Sequence, residues 1–326
     1  MTPGFIYPEN ALIMAPLSGF TDLAYRRAAY RCGCRYAFTE MVDAASLAYA
    51  NGNGEALLKR GAEEDFLAVQ LVGADEELLK RATAKLNERD FSLLDFNLGC
   101  PVPKVVKKGA GAALGENIDR AVACFRAIAG VSRFTVTAKL RILDETDPAP
   151  TLELCAGLVD AGAKALTVHG RTRSHFYTGT VHFSVIRAVR EAFPDIPVIA
   201  NGGVNSRETY DTIRRETGCS RVMLAQGIMG NPWLFGELSG GKLPPALAEW
   251  KSIVRFHVSE MIALYGEASA MRQARKIVHD YLKGRGFPAA LRAEASGLSS
   301  FADLDKLLDR AAVAAVSTAP RRILTD

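Results

Sequence analysis

Eight short apolar runs, each followed by a longer amphipathic segment, recur between Ala11 and Leu224. They are Ala11–Ala15, Tyr36–Thr39, Phe66–Leu71, Leu93–Asn97, Phe134–Leu140, Ala165–His169, Pro197–Ala200 and Arg221–Leu224. Runs this short and apolar read as strands buried on both faces, which is the signature of a parallel sheet covered by helices. Helices are predicted from Thr21-Asp22 to Arg31, from Asp75 to Leu86, from near Asn117, from Thr151, from Phe183 to Phe193 and from about Arg207. Eight βα units within about 240 residues specify a closed (β/α)8 TIM barrel rather than an open doubly wound sheet.

After Gly240-Gly241 the pattern becomes helical only. Lys242-Leu243-Pro244-Pro245 reads as a linker, and Trp250, Ile253, Val254, Val258, Met261 and Leu264 are spaced as a buried stripe. Further helices are predicted over Met271–Lys283 and Leu304–Val316. The expected division is a barrel over 1–241 and a small C-terminal helical bundle over 242–326.

Composition removes several classes of function. With 48% hydrophobic residues among 326, the chain can bury a large core. Its net charge of +4 suits a polyanionic partner without demonstrating one. The six cysteines, Cys32, Cys34, Cys100, Cys124, Cys155 and Cys219, form no CxxC pair and no His/Cys zinc spacing, so reduced thiols and no metal are expected. Met1–Asn10 lacks the pattern of a signal peptide, and no run approaches the roughly 18 apolar residues of a membrane span. A cytoplasmic monomer is the expectation. No Walker A loop is present, and Gly109-Ala110-Gly111 lacks the third glycine of a dinucleotide fingerprint. A nicotinamide cofactor would therefore bind transiently, without a Rossmann domain.

In a barrel of this kind function sits at the C-terminal ends of the strands. There the chain places Ser18, Gln70, Asn97, Cys100, Lys139, Arg141, His169, Arg171, Asn201 and Gln226. Lys139 is the sharpest of these, because an unpaired ammonium in a buried strand is costly. It reads either as a snorkelling or ion-paired lysine, or as a cation facing an electron-rich ligand. The glycine turns Asn201-Gly202-Gly203 and Ala225-Gln226-Gly227 end consecutive strands, in the usual position for binding a phosphate on backbone N–H groups. His169 alone reads equally as a structural histidine. Cys100, held between Gly99 and Pro101, reads as a buried core thiol or as a presented one. The basic face of Arg272, Arg275, Lys276 and Lys283 is either simple solvation or a polyanion contact.

Together these motifs resemble the tRNA-dihydrouridine synthases. The resemblance rests on Met14-Ala15-Pro16-Leu17-Ser18-Gly19-Phe20-Thr21-Asp22, on Asp95-Phe96-Asn97-Leu98-Gly99-Cys100-Pro101 and on Gly109-Ala110-Gly111-Ala112-Ala113-Leu114. It extends to Lys139-Leu140-Arg141, Val168-His169-Gly170-Arg171-Thr172, Ala200-Asn201-Gly202-Gly203 and Gly230-Asn231-Pro232-Trp233-Leu234-Phe235. It implies bound FMN, contacted by Pro16, Leu17, Ser18, Gln70, Lys139, His169, Asn201, Gly202, Gly203, Ala225 and Gln226. It also implies NADPH or NADH as transient reductant, and reduction of a uridine in tRNA with Cys100 as proton donor. Asn97, Arg141, Arg171 and Tyr177 would meet the substrate base and its neighbours. Arg272, Arg275 and Lys276 would meet RNA phosphates, and the Lys104–Gly115 loop would act as a lid.

One position departs from the family's pattern. Gln226 stands where the family usually has an arginine on the FMN phosphate, which implies weaker FMN retention. Two other readings remain: an FMN barrel acting on free pyrimidines, like the dihydropyrimidine or dihydroorotate dehydrogenases, and a tRNA-binding flavoprotein without catalysis.

Overall fold

The computed structural model describes residues 6–50, 54–240 and 245–317. Apart from Pro245, the expected linker at 242–245 lies outside these residues. Eight parallel strands form one sheet in the order β1-β8-β7-β6-β5-β4-β3-β2. They are β1 (Leu12–Met14), β2 (Ala37–Asp43), β3 (Leu67–Val72), β4 (Leu93–Leu98), β5 (Val136–Arg141), β6 (Leu166–His169), β7 (Val198–Asn201) and β8 (Arg221–Leu224). The two edges meet where Met14 donates its N–H to the Tyr36 carbonyl at 2.8 Å, closing the (β/α)8 barrel.

Strand alternation divides the interior into two levels. Ile13, Phe38, Leu93, Ile199 and Met223 pack around Tyr7 in an apolar plug. Two residues further along the same faces stand Asp95 after Leu93 and Asn201 after Ile199. The same period of two carries Gln70 after Ala68, Asn97 after Asp95, and Lys139 after Thr137. The polar residues that looked anomalous in apolar runs therefore share the inner face, above a dry floor.

Helix starts follow the predicted caps. Asp22, Asp75 and Asn117 accept from the N–H groups of Tyr25, Leu78 and Arg120. Three boundaries differ from the sequence reading. β2 continues to Asp43 through a register shift between Phe38 and Met41, a bulge that periodicity does not announce. The helix expected at Thr151 spans Ala149–Asp160, opened by Pro148, and the Thr151 hydroxyl accepts from Leu143 N–H at 2.9 Å. The helix expected from Met271 spans Glu267–Leu282, turned on Gly266 at φ +73°.

The chain forms two compact units, Met1–Gly19 with Arg35–Ala225 and Phe20–Cys34 with Gln226–Asp326. The second thus contains helix Leu23–Arg31 as well as the C-terminal helices. Within it, Arg27 pairs with Glu260 at 2.5 Å, and the Tyr265 hydroxyl donates to Asp22 at 2.8 Å. The predicted stripe is largely buried there: Trp250, Ile253, Val254, Val258 and Met261. No helix among the described residues is long and apolar enough to cross a membrane.

Candidate active site

Strand register assembles the site in the first unit. Gln70 pairs with Asp95 across β3 and β4, Asn97 with Lys139 across β4 and β5, and Arg141, His169 and Asn201 follow one another across β5, β6 and β7. These neighbours are linked by side-chain hydrogen bonds. Asn97 Nδ2 donates to Gln70 Oε1 at 2.7 Å, and Gln70 Nε2 donates to Asp95 Oδ2 at 2.8 Å. Thr137 Oγ1 donates to Asp95 Oδ1 at 2.6 Å.

The Cys100 turn is shaped from below. Asn97 Oδ1 accepts from the N–H groups of Gly99 at 3.0 Å and Cys100 at 2.9 Å. The Cys100 carbonyl accepts from Ala112 N–H at 3.0 Å. A Cβ on Gly111 would lie 2.6 Å from that carbonyl, so only glycine allows the approach. The Cys100 thiol is 8% exposed, and burial raises its pKa above the ordinary thiol value, so it holds its proton at neutral pH.

Lys139 Nζ donates to Asn201 Oδ1 at 3.1 Å, while Asn201 Nδ2 donates to the Met223 carbonyl at 2.9 Å. Burial, aided by Arg141, lowers the ammonium pKa to about 8. Burial also drives the His169 imidazole far below its usual pKa, with Lys139, Arg141 and Arg171 adding to the effect. Its Nε2 faces Arg171 Nη1 at 3.3 Å. A guanidinium can only donate, so Nε2 is the acceptor and Nδ1 carries the proton.

Asp95 is 1% exposed, and burial raises its carboxyl pKa to about 6 against the opposing hydrogen bonds from Thr137 and Gln70 and the charge of Lys139. A carboxyl that binds its proton more tightly folded than unfolded adds stability fully present below about pH 4 and lost as the pH rises through 6. The expected result is that wild type loses about 2 kcal/mol relative to Asp95→Asn between pH 4.5 and 7.5, read from denaturant melts. A pH-independent difference would refute the assignment.

The sequence-derived candidates fall into distinct groups. Gln70, Lys139, His169, Asn201 and Gly202 converge at the barrel mouth around Cys100. Pro16 and Leu17 are half-buried and Ser18 is exposed on the loop after β1. Asn97, expected to meet substrate, has its amide engaged within the protein. Arg141 is 3% exposed and donates from Nε to the Gly99 carbonyl at 2.8 Å and from Nη1 to the Thr172 carbonyl at 3.0 Å. Both shape loops. Arg171 donates from Nε and Nη2 to the Gly179 carbonyl, each at 3.0 Å. Tyr177 is 44% exposed, with Arg141 Cζ 5.5 Å from its ring centroid.

The Lys104–Gly115 loop, expected as a lid, is packed along its second half. Pro103–Val106 and Ala112–Gly115 are short helices, Ala110, Ala112 and Leu114 are buried, and a Cβ on Gly115 would lie 2.8 Å from the Leu98 carbonyl. Only the Lys104 to Lys108 side meets solvent, and Lys108 pairs there with Asp43 at 2.8 Å.

In the second unit the exposed Gln226 opens a 3-10 turn, Gln226–Ile228, that buries Ile228. Arg272 and Lys276 are exposed on helix Glu267–Leu282, while Arg275 Nε donates to the Leu298 carbonyl at 2.9 Å.

A buried thiol, a half-buried lysine and a neutral histidine thus stand at one barrel mouth. The family model described as dihydrouridine synthase (Dus) matches residues 13–317. The chain belongs to the dihydrouridine synthase family. It is 33% identical over 280 residues to tRNA-dihydrouridine synthase B of Shewanella oneidensis, covering 84% of this chain and 87% of that protein. It is 33% identical over 290 residues to tRNA-dihydrouridine synthase B of Vibrio cholerae, covering 87% and 90%. The corresponding Pseudomonas aeruginosa protein is 33% identical over 279 residues, covering 84% of each chain.

In this dihydrouridine synthase family member the sequence reading assigned no role to Asp95, Thr137, Glu145, His175 or His182. Asp95 carried a usable signal, a carboxylate inside an apolar strand, of the same kind as Lys139. The others acquire meaning only through contacts between separate strands and loops.

Proposed function

We propose that this protein is a tRNA-dihydrouridine synthase that reduces the C5–C6 double bond of a uridine in tRNA. The observation that carries the reading is the Cys100 turn: a buried, protonated thiol held by Asn97 at the mouth that Lys139 and His169 line. The printed names of the relatives point to the same substrate. FMN is the cofactor that suits the residues present. Gly202 (φ +134°) and Gly203 (φ +73°) bend the backbone after β7, and among the described residues neither donates its N–H to a carbonyl. A Cβ on Gly202 would lie 3.1 Å from Val181 and 3.2 Å from His169, leaving the cradle open only to glycine. Such free donors suit a phosphate.

When bound, FMN supplies the hydride, renewed by NADPH or NADH. The protein's own part is to hold the base and move a proton. Cys100 Sγ gives its proton to one carbon of the double bond while the hydride joins the other. Lys139 presents a positive charge where negative charge gathers, fixed by Asn201. His169 stays neutral and donates from Nδ1. Gln70 keeps one N–H and one lone pair for the ring system, since each of its polar atoms spends only one bond within the protein. Pro16, Leu17, Ser18, Ala225 and Gln226 are assigned to the cofactor's edges. Arg171 and Tyr177 are assigned to the substrate strand, and Arg272, Arg275 and Lys276 to tRNA phosphates. The uridine leaves its stack to reach the mouth.

The decisive experiment incubates the FMN-loaded protein with NADPH and tRNA lacking dihydrouridine, then reads the nucleosides by mass spectrometry. New dihydrouridine supports the reading. Reduction of free uracil alone would favour a free-pyrimidine dehydrogenase, and tRNA binding without either product a non-catalytic flavoprotein.

The same assay gives a pH prediction. Lys139 is charged below about 8, and the Cys100 thiol titrates above the ordinary thiol range. The rate is therefore expected to fall as pH rises through about 8, and Lys139→Arg to move that limb upward. A flat rate between pH 7 and 9.5 would contradict the role of Lys139.

A further inference from the structure

The loop between β6 and helix Phe183–Ala192 carries two aromatic side chains that no core takes up. Phe176 is 43% exposed and Tyr177 44% exposed. Phe176 also sits at φ +50°, a left-handed conformation that bulky residues adopt only at an energetic cost. Exposed aromatics on a floppy loop would mean little. This loop is tied down along its length.

Arg171 holds the Gly179 carbonyl through two donors, and Arg141 holds the Thr172 carbonyl. Arg173 pairs with Glu116 at 2.9 Å. His175 Nε2 lies 2.6 Å from Glu145 Oε1, and His182 Nε2 lies 3.5 Å from Glu145 Oε2. The Thr172 hydroxyl donates to the same Glu145 Oε1 at 3.2 Å. Between these anchors the turn closes on itself, Phe176 N–H to the Arg173 carbonyl at 3.2 Å and Thr178 N–H to the His175 carbonyl at 2.9 Å. Glu145, from the loop after β5, thus clasps both ends of the segment that presents Phe176 and Tyr177.

A rigid aromatic pair beside guanidinium groups is the arrangement that binds unpaired nucleotides, with bases stacking on rings and cations meeting the backbone. Arg141 already lies 5.5 Å from the Tyr177 ring and holds the Gly99 carbonyl next to Cys100. Tyr177, with Phe176 before it in the chain, therefore stands at the approach to the thiol. We propose that Phe176 stacks on a nucleobase flanking the uridine that is reduced, and that Glu145, through His175 and His182, is the positioning residue that holds this platform in place. The inference rests on the tRNA reading above. Its occupant is an RNA nucleotide next to the target, because the surroundings are cationic and the presented surface is flat and aromatic.

The test uses the FMN-loaded full chain, NADPH and tRNA lacking dihydrouridine, with the reduced position first mapped by mass spectrometry. Phe176→Ala is expected to raise KM for tRNA roughly 5- to 150-fold, the effect of losing one base–aromatic stack. The rate of flavin reduction by NADPH without tRNA should stay at the wild-type value. Phe176→Trp should restore KM to within a few-fold. Glu145→Gln should weaken tRNA binding in the same direction, again without touching flavin reduction. The deciding arm uses tRNA carrying an abasic residue on either side of the target. One of these should raise KM for wild type as much as Phe176→Ala does, and the two changes together should cost no more than either alone. Additive losses, or a Phe176→Ala variant whose KM matches wild type, would overturn the inference. Failure of wild type itself to form dihydrouridine would instead overturn the functional reading on which it rests.

Discussion

Cys100→Ala is expected to lower dihydrouridine formation by between about 10²- and 10⁴-fold, the range lost with a positioned general acid. Reduction of the flavin by NADPH and the affinity for tRNA should remain near wild type. The prediction is sharp because the turn survives the change. Gly99 and Cys100 donate their N–H groups to Asn97, and the Cys100 carbonyl accepts from Ala112, none of which involves the side chain. Alanine removes the proton source and little else. Cys100→Ser keeps the shape but offers a far weaker acid, so it should also be impaired, with the deficit in kcat rather than in KM. If the alanine variant keeps more than a tenth of the wild-type rate, the proton comes from another group.

Gly230→Ala is expected to destabilise the second unit by about 2–5 kcal/mol, combining a left-handed backbone with an overpacked contact. Gly230 sits at φ +65°, and a Cβ there would lie 2.2 Å from the carbonyl carbon and oxygen of Asp280 and 2.6 Å from Tyr281 N. All three are backbone atoms of helix Glu267–Leu282, so no side chain can swing aside. The matched control is Gly284→Ala in the same unit, at φ +72° with nothing within 4 Å of the added atom. It should cost only the backbone part, about 1–2 kcal/mol. Denaturant midpoints compare the two directly. Equal shifts would mean that the close approach at Gly230 carries no weight.

Legibility differed with the range of the interaction involved. Strand positions were readable within one or two residues, apart from the end of β2, because burial on both faces leaves an apolar run bounded by turn residues. Helix starts at Asp22, Asp75 and Asn117 were readable because a cap is a local hydrogen bond. Thr151 misled because it resembles a cap, yet its hydroxyl serves Leu143. The short helices at Pro103–Val106 and Ala112–Gly115 are too brief for any period to register, so the packing of this glycine-rich loop was not legible.

The chain order and residue types determined by themselves that eight strands would close into a barrel, and that Lys139, His169, Asn201 and Cys100 would crowd its C-terminal mouth. A charged or polar residue in a buried strand has few other places to be. Only the tertiary structure decided which of these groups spend their hydrogen bonds on one another. Asn97 supports the Cys100 turn, and Arg141 ties two loops together. Asp95 became a carboxyl beneath the site, and Glu145 became the clasp of two histidines. Such pairings depend on strand register and loop packing, which join residues far apart in the chain. Local pattern does not encode them, because hydrogen bonds and desolvation act at a few ångströms in space.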